Sequence, residues 1–152
     1  MKIDLGCGPK KRDGYFGIDK TPFPGVDLVF DIGSGPLPIV SGIVEAVYSS
    51  HFMEHLTKAA RIYVWNDIYR VMKAGAVAEI IVPHWKSPTS YGDLTHEWPP
   101  FSEYAFLYLV KSWRDENAPH VALTCDFDLN LFTTMHPNTG ENYEIRALLT
   151  RK

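Results

Sequence analysis

The first 32 residues contain three short apolar stretches, and each stops at a glycine or an acid. Lys2–Leu5 runs into Gly6-Cys7-Gly8, Tyr15–Ile18 stops at Asp19, and Asp27–Phe30 stops at Asp31. The connections between them are short: Gly6 to Gly14 is nine residues and Lys20 to Val26 is seven. Parallel strands are normally joined by a crossover of about a dozen residues or more, usually containing a helix. These connections can span a short strand but cannot hold a full helix. If the strands are parallel, part of one sheet face lacks its usual cover.

The remaining elements follow from changes of period. Val44–Tyr48 reads as a fourth strand. From Thr57 to Lys73 the apolar residues fall at Ile62, Trp65, Ile68, Tyr69 and Met72, with Arg61, Asp67 and Arg70 at other positions, which is helical spacing. Thr57 is the expected N-cap and Gly75 the expected stop. Ala76–Val82 reads as a buried strand closed by Pro83. His84–Pro100 is a long irregular stretch rich in Trp, Tyr, His and Pro. Ser102 is expected to cap a second helix through about Trp113, with Phe101 and Phe106 placed as a hydrophobic staple. Val121–Thr134 and Asn142–Thr150 flank His136-Pro137-Asn138-Thr139-Gly140, the pattern of an antiparallel hairpin. Strands separated by helices indicate an α/β sheet.

Composition bounds the function classes. At 152 residues the chain is one domain, and its apolar and charged fractions are those of an ordinary globular protein. A net charge of −3 argues against a strongly basic nucleic-acid binder, although Lys10-Lys11-Arg12 keeps a local patch open. Two cysteines, Cys7 and Cys125, are too few for a disulfide framework. No apolar run reaches the roughly 18 residues of a membrane span, and an acid and a glycine stand where a signal peptide needs its apolar stretch. The expectation is a soluble cytoplasmic protein without a membrane partner.

The strand ends carry the chemistry. Glycines after a first strand let the backbone turn sharply and approach a ligand, and open α/β sheets bind nucleotides at the carboxyl ends of their strands. Asp19 could accept from two ribose hydroxyls. Asp31 could accept from an exocyclic amine while Ile32 packs on a base.

Taken together, Asp4-Leu5-Gly6-Cys7-Gly8-Pro9, Gly14–Asp19, Asp31-Ile32 with Leu37-Pro38-Ile39, Val47–Leu56 and Ile68–Gly75 resemble a class I S-adenosylmethionine-dependent methyltransferase of the short, type-11-like kind. The match runs in order over residues 1 to about 84. Gly92–His96 resembles an acceptor-side loop of such enzymes, and Lys10 stands where many members carry a third glycine. The resemblance implies a Rossmann-like open, mostly parallel sheet with a C-terminal antiparallel hairpin and reduced helical cover on one face. It implies a cofactor-binding half, 1–84, and an acceptor-side half, 85–152. Asp4, Gly6 and Gly8 would lie along the methionine moiety of S-adenosyl-L-methionine and Asp19 on its ribose. Asp31 and Ile32 would frame the adenine, and Ser49, Ser50 and His51 would lie beneath the sulfonium.

The expected activity is methyl transfer to a small-molecule acceptor. If the acceptor is a hydroxyl or a protonated amine, a base is needed, with His51 first and His84 second. Two other readings stay open. One is a catalytically degenerate binding protein on the same fold. The other is a zinc hydrolase, because His51-x-x-Glu54-His55 matches an inverted zinc-protease pattern; that pattern needs a helix to carry it, and Thr57 leaves little room for one. No metal ligand is assigned. The missing crossover helices, with none before Lys2, lead to an expected twofold dimer.

Overall fold

The computed structural model describes residues 1–152. Its strands are β1 (Lys2–Leu5), β2 (Phe16–Asp19), β3 (Leu28–Val29), β4 (Val44–Ser50), β5 (Met72–Pro83), β6 (Phe127–Met135) and β7 (Asn142–Arg151). They form one sheet in the order β3-β2-β1-β4-β5-β7-β6. The five strands from β3 to β5 pair in parallel. β7 is antiparallel to both β5 and β6, so the C-terminal hairpin forms as expected and completes the open, mostly parallel sheet. The longest helix is α1 (Lys58–Val71), followed by the short α2 (Pro88–Gly92), α3 (Glu103–Leu107) and α4 (Lys111–Asn117). No helix is long and apolar enough to cross a membrane.

Strand residues of one parity form the core. Ile3, Leu5, Val47, Ala78, Ile80, Val82, Ile145, Ala147 and Leu149 are buried in one cluster with Val64, Trp65 and Ile68 of α1 and Phe106 of α3. The Thr57 hydroxyl accepts from the Ala60 N–H at 3.3 Å, so the expected N-cap of α1 is in place. The Phe101 and Phe106 rings meet at 5.7 Å, as a staple requires.

The opposite parity faces a side with no helix. Asp4, Gly17, Tyr48, Glu79, Leu148 and Asn130 share one register row across it. The β1–β2 connection, too short for a helix, lies over this row. Asp4 accepts the Arg12 N–H at 2.8 Å, and the Arg12 guanidinium reaches Glu79 at 2.7 Å while stacking 4.2 Å above Tyr48. A side chain on Gly17 would collide with Lys11 and Cys7, which shows how closely the connection packs. Two charges of the basic cluster are satisfied within the chain, since Lys11 pairs with Asp27 at 2.6 Å and Arg12 with Glu79.

Three expectations are corrected. α1 ends at Val71 and passes straight into β5, because Met72 is already extended (ψ 149). Gly75, at φ 77, instead shapes an irregularity within β5, where Val44 pairs with Met72 but Ala46 pairs with Val77. The helix expected from Ser102 to Trp113 breaks in two at the extended Val110, where the Asp126 carboxylate takes the Lys111 N–H at 3.0 Å. The outer hairpin strand begins at Phe127, not Val121, because the Arg114 guanidinium binds the Cys125 carbonyl at 2.8 Å and holds the preceding segment off the sheet.

Arg61 and Asp67, placed off the apolar stripe by the sequence, are both buried. Asp67 accepts the Leu37 N–H at 2.7 Å and pairs with Arg70 at 2.6 Å; Arg70 in turn binds the carbonyls of Leu37 and Ile39. This pair docks the β3–β4 connection onto α1 in place of a helix. Asp67→Ala leaves a buried N–H and an arginine without their acceptor, and urea unfolding should show a loss of about 2–4 kcal/mol. A loss within about 0.5 kcal/mol of wild type, the range of ordinary surface changes, would contradict this account.

Candidate functional site

A cavity of about 450 Å³ opens where β1, β2 and β4 end. That volume is within the range of small-molecule sites. Gly6 follows β1, Asp19 closes β2, and Asp31 and Ile32 come just after β3; all four line the cavity, as the sequence predicts. His51, one residue beyond β4, lines it as well. Lys20, Phe52 and Leu56 complete the wall with His55, which the sequence raised only in the zinc motif, and Thr95, which lies in the segment it likened to an acceptor-side loop. A second cavity of about 440 Å³, between α1 and residues 99–109, is mostly apolar and contains none of the predicted site residues.

The glycine turn is enforced by sterics. Gly6 sits at φ 64, and a Cβ there would lie 2.2 Å from the Phe52 ring. Its N–H and that of Cys7 both point back to the Ile18 carbonyl, closing the turn against β2. Asp19 is fixed by its own chain, with one carboxylate oxygen accepting from the Gly8 N–H at 2.9 Å and the other from the Thr21 N–H at 2.8 Å. A carboxylate offers about four acceptor positions, so two remain for a ligand diol.

Four of the predicted cofactor residues do not reach the cavity wall. Asp4 lies on the helix-free face, where burial raises its carboxyl pKa and the Arg12 N–H opposes that shift. Gly8 serves Asp19 through its N–H. The fully buried Ser49 hydroxyl donates to the Leu5 carbonyl at 3.1 Å, fastening β4 to β1. Ser50 alternates with Ser49 and turns to the helix-free side. Of the candidate bases, His84 is also away from the cavity. It is 1% exposed; its Nδ1 accepts the Lys86 N–H at 3.1 Å and its Nε2 donates to Glu103 at 3.1 Å, so both nitrogens are engaged.

His51 is the one non-glycine residue at positive φ, 53°. Such a residue is uncommon, and held strain of this kind clusters at functional sites. Its Nε2 lies 2.7 Å from Glu144 of β7, a residue 93 positions away that no local signal in the sequence connects to it. Its Nδ1 lies 3.3 Å from Glu54. Glu54 raises the His51 pKa; burial opposes this, and Glu144 adds to it. The Nδ1 contact is out of line for a hydrogen bond, and neither Glu54 oxygen has a hydrogen-bond partner. The zinc-protease reading fails on backbone geometry. Met53–His55 is a single 3-10 turn, and His51 precedes it in a left-handed conformation, so the motif's two histidines do not share a helical face. Burial pushes the Cys7 thiol up to about 11, which makes it a packing group and not a nucleophile.

Solved structures give this geometry its class. A SAM-dependent methyltransferase from Archaeoglobus fulgidus superposes with a TM-score of 0.71 at 16% identity, over 99% of this chain and 85% of that one. The 1,6-didemethyltoxoflavin-N1-methyltransferase of Burkholderia thailandensis, solved with 1,6-didemethyltoxoflavin and S-adenosylhomocysteine bound, gives 0.66 at 11% identity, over 99% and 71%. A TehB-like SAM-dependent methyltransferase from Corynebacterium glutamicum gives 0.60 at 17% identity, over 99% and 79%. No protein-family model matches the sequence, and no curated protein is similar to it in sequence. The chain has the class I SAM-dependent methyltransferase fold, with its cavity at the strand ends where open α/β sheets bind nucleotides.

Proposed function

We propose that this protein transfers a methyl group from S-adenosylmethionine to a small-molecule acceptor. The observation that carries the reading is the convergence of Gly6, Asp19, Asp31 and Ile32, from three strand ends, on one cavity that also holds His51. S-adenosylmethionine, when bound, supplies a methyl group already activated on a sulfonium. The residues present fit it. Asp19 keeps acceptor positions for a ribose diol, Asp31 is exposed at the wall for an amine, Ile32 offers an apolar surface, and Gly6 makes the tight turn that closes the wall against Phe52.

The chain's own work is alignment, exclusion of water and removal of a proton. We assign proton acceptance to His51 Nδ1, because Nε2 is hydrogen-bonded to Glu144 at 2.7 Å and Nδ1 is not hydrogen-bonded. It stands at the cavity wall, and Glu144 and Glu54 stabilise its ring once it carries charge. Two buried, unpaired thiols support a reducing compartment, in line with the cytoplasmic expectation. The helix-free face, with Val77 and Phe132 exposed on it, is the surface we assign to a second copy of the chain.

Three measurements test these assignments. Calorimetry with S-adenosylhomocysteine should show binding, weakened by about 1.5–3 kcal/mol in Asp19→Ala through loss of charge-assisted hydrogen bonds. Unchanged affinity in a folded variant would remove the ribose assignment. Once an acceptor is found by screening, His51→Ala should cut turnover by ~10²-fold with donor affinity nearly unchanged. An equal loss of donor affinity would make His51 a structural residue. Light scattering at micromolar concentration should give twice the 17.2 kDa of one chain; a monomer that binds no hydrophobic dye would overturn the dimer.

A further inference from the structure

We propose that Glu54, His55 and His96 form a binding site for a divalent transition-metal cation of the zinc type at the edge of the cavity. One ligand atom from each lies within 4.8 Å of the other two. The imidazole rings meet edge to face, 4.8 Å between centroids. The sequence motif suggested His51 as a partner of Glu54 and His55. The fold supplies His96 in its place, from the loop after α2.

Both histidines turn Nδ1 to a backbone carbonyl, which leaves Nε2 as the nitrogen open to a metal. His55 Nδ1 lies 3.2 Å from the Thr95 carbonyl, and His96 Nδ1 lies 3.3 Å from the Ser90 carbonyl. A carbonyl oxygen can only accept, so Nδ1 carries the proton in each ring and Nε2 keeps its lone pair. Outer hydrogen bonds of this kind orient metal-ligating histidines. The Asp93 carboxylate, 3.7 Å from His96 Nε2, adds negative charge on the same side.

The second observation is the state of Glu54. It is 3% exposed, and neither carboxylate oxygen has a hydrogen-bond partner. His51 Nδ1, 3.3 Å away and off line, and the nearby Arg61 guanidinium offset its charge without a hydrogen bond, so the carboxylate keeps its oxygens free for a further cation. Arg61 does not bond to it, because its donors reach the carbonyls of Met53, Glu54, Glu97 and Pro99. Two imidazole nitrogens and a carboxylate are the donor set of open zinc sites that keep a fourth position for water or substrate. Bonds of about 2.0–2.2 Å draw such ligands to within roughly 3.5 Å of one another, so the side chains close by about an ångström on binding.

His55 and Thr95 also belong to the cavity wall, so the open position is next to the cavity. Resting on the methyl-transfer reading, this gives the acceptor a chemical class: a small molecule whose hydroxyl or thiol ligates the metal and is acidified by it.

Metal binding is measurable without any acceptor. Zn²⁺ titrated calorimetrically into untagged, EDTA-treated protein should bind at about one equivalent with micromolar affinity or better, and should raise Tm. Co²⁺ in its place should give visible absorption of a four-coordinate site. His96→Ala and Glu54→Gln should each weaken Zn²⁺ binding by at least ~10-fold, whereas the exposed His120→Ala should not. Glu54→Gln preserves shape, so a Tm without metal close to wild type would show that lost Zn²⁺ binding is not lost folding. Substoichiometric binding, or wild-type affinity in both ligand variants, would overturn the site. S-adenosylhomocysteine is titrated separately. Zn²⁺ binding without it supports the metal site and overturns the methyl-transfer reading; its binding without Zn²⁺ does the reverse.

Discussion

The Arg61 guanidinium is the contact on which the cavity wall depends. It leaves α1 and binds four backbone carbonyls: Met53 at 3.2 Å, Glu54 at 3.1 Å, Glu97 at 2.9 Å and Pro99 at 2.5 Å. Its face lies 4.5 Å from the Phe101 ring centre. The His51–Leu56 and Asp93–Pro100 segments have almost no regular structure of their own, and irregular buried backbone leaves carbonyls without partners. One planar cation with five donors satisfies four of them and fixes both segments to the longest helix. Phe52, His55, Leu56 and Thr95 are cavity residues because Arg61 holds the segments that carry them.

The same economy shapes the sheet. Helices normally bury both faces of a parallel sheet. Here the connections are too short, and side-chain contacts substitute for them. On the core face, Asp67 and Arg70 attach the β3–β4 connection to α1. On the other face, Arg12 crosses from Asp4 to Tyr48 and Glu79, and Arg146 reaches Glu79 from β7 at 2.8 Å. These contacts are partly exposed and screened, so they add less stability than an apolar helix face would. They nevertheless fix the glycine turn in one place, because Asp4 and Arg12 bracket it on both sides.

The sequence disclosed what local chemistry controls. Thr57 as a cap, the Phe101–Phe106 staple, the hairpin around His136–Gly140 and the acid-or-glycine strand ends all depend on neighbours a few residues away. What it did not disclose depends on distant partners. The helix stop moved from Gly75 to Val71 because pairing of Met72 with Val44 takes over, a tertiary contact that overrides a glycine signal. Within the candidate site, Asp19, Asp31, Ile32, Gly6 and His51 were legible because each ends a strand. Asp4, Ser49 and Ser50 also lie in or beside strand ends, but the alternation of side chains along a strand turns them to other partners. Glu144 had no readable signal, and His96 was legible only as part of the acceptor-side segment Gly92–His96, not as a neighbour of Glu54 and His55. Each meets its partner only after the hairpin and the loop after α2 have folded back.

Glu54 shows how closely these constraints interlock. Its backbone carbonyl is bound to Arg61, its carboxylate is buried, and histidines stand three residues before it and one after it, at His51 and His55. His51 precedes the 3-10 turn and His55 ends it; the carboxylate lies 3.3 Å from His51 Nδ1 and within 4.8 Å of a His55 nitrogen, yet it accepts a hydrogen bond from neither. Protonating His51 would compensate its charge only through an off-line contact at 3.3 Å, and Glu144 already holds the other nitrogen of that ring at 2.7 Å. Desolvation makes an unpaired carboxylate costly, and a fold that tolerates it must return the energy elsewhere or leave the position for a cation. The rigid carbonyl clamp on Arg61 prevents the turn from relaxing toward solvent. A divalent cation at the proposed site would satisfy Glu54 together with His55 and His96, which the off-line contact with His51 does not do.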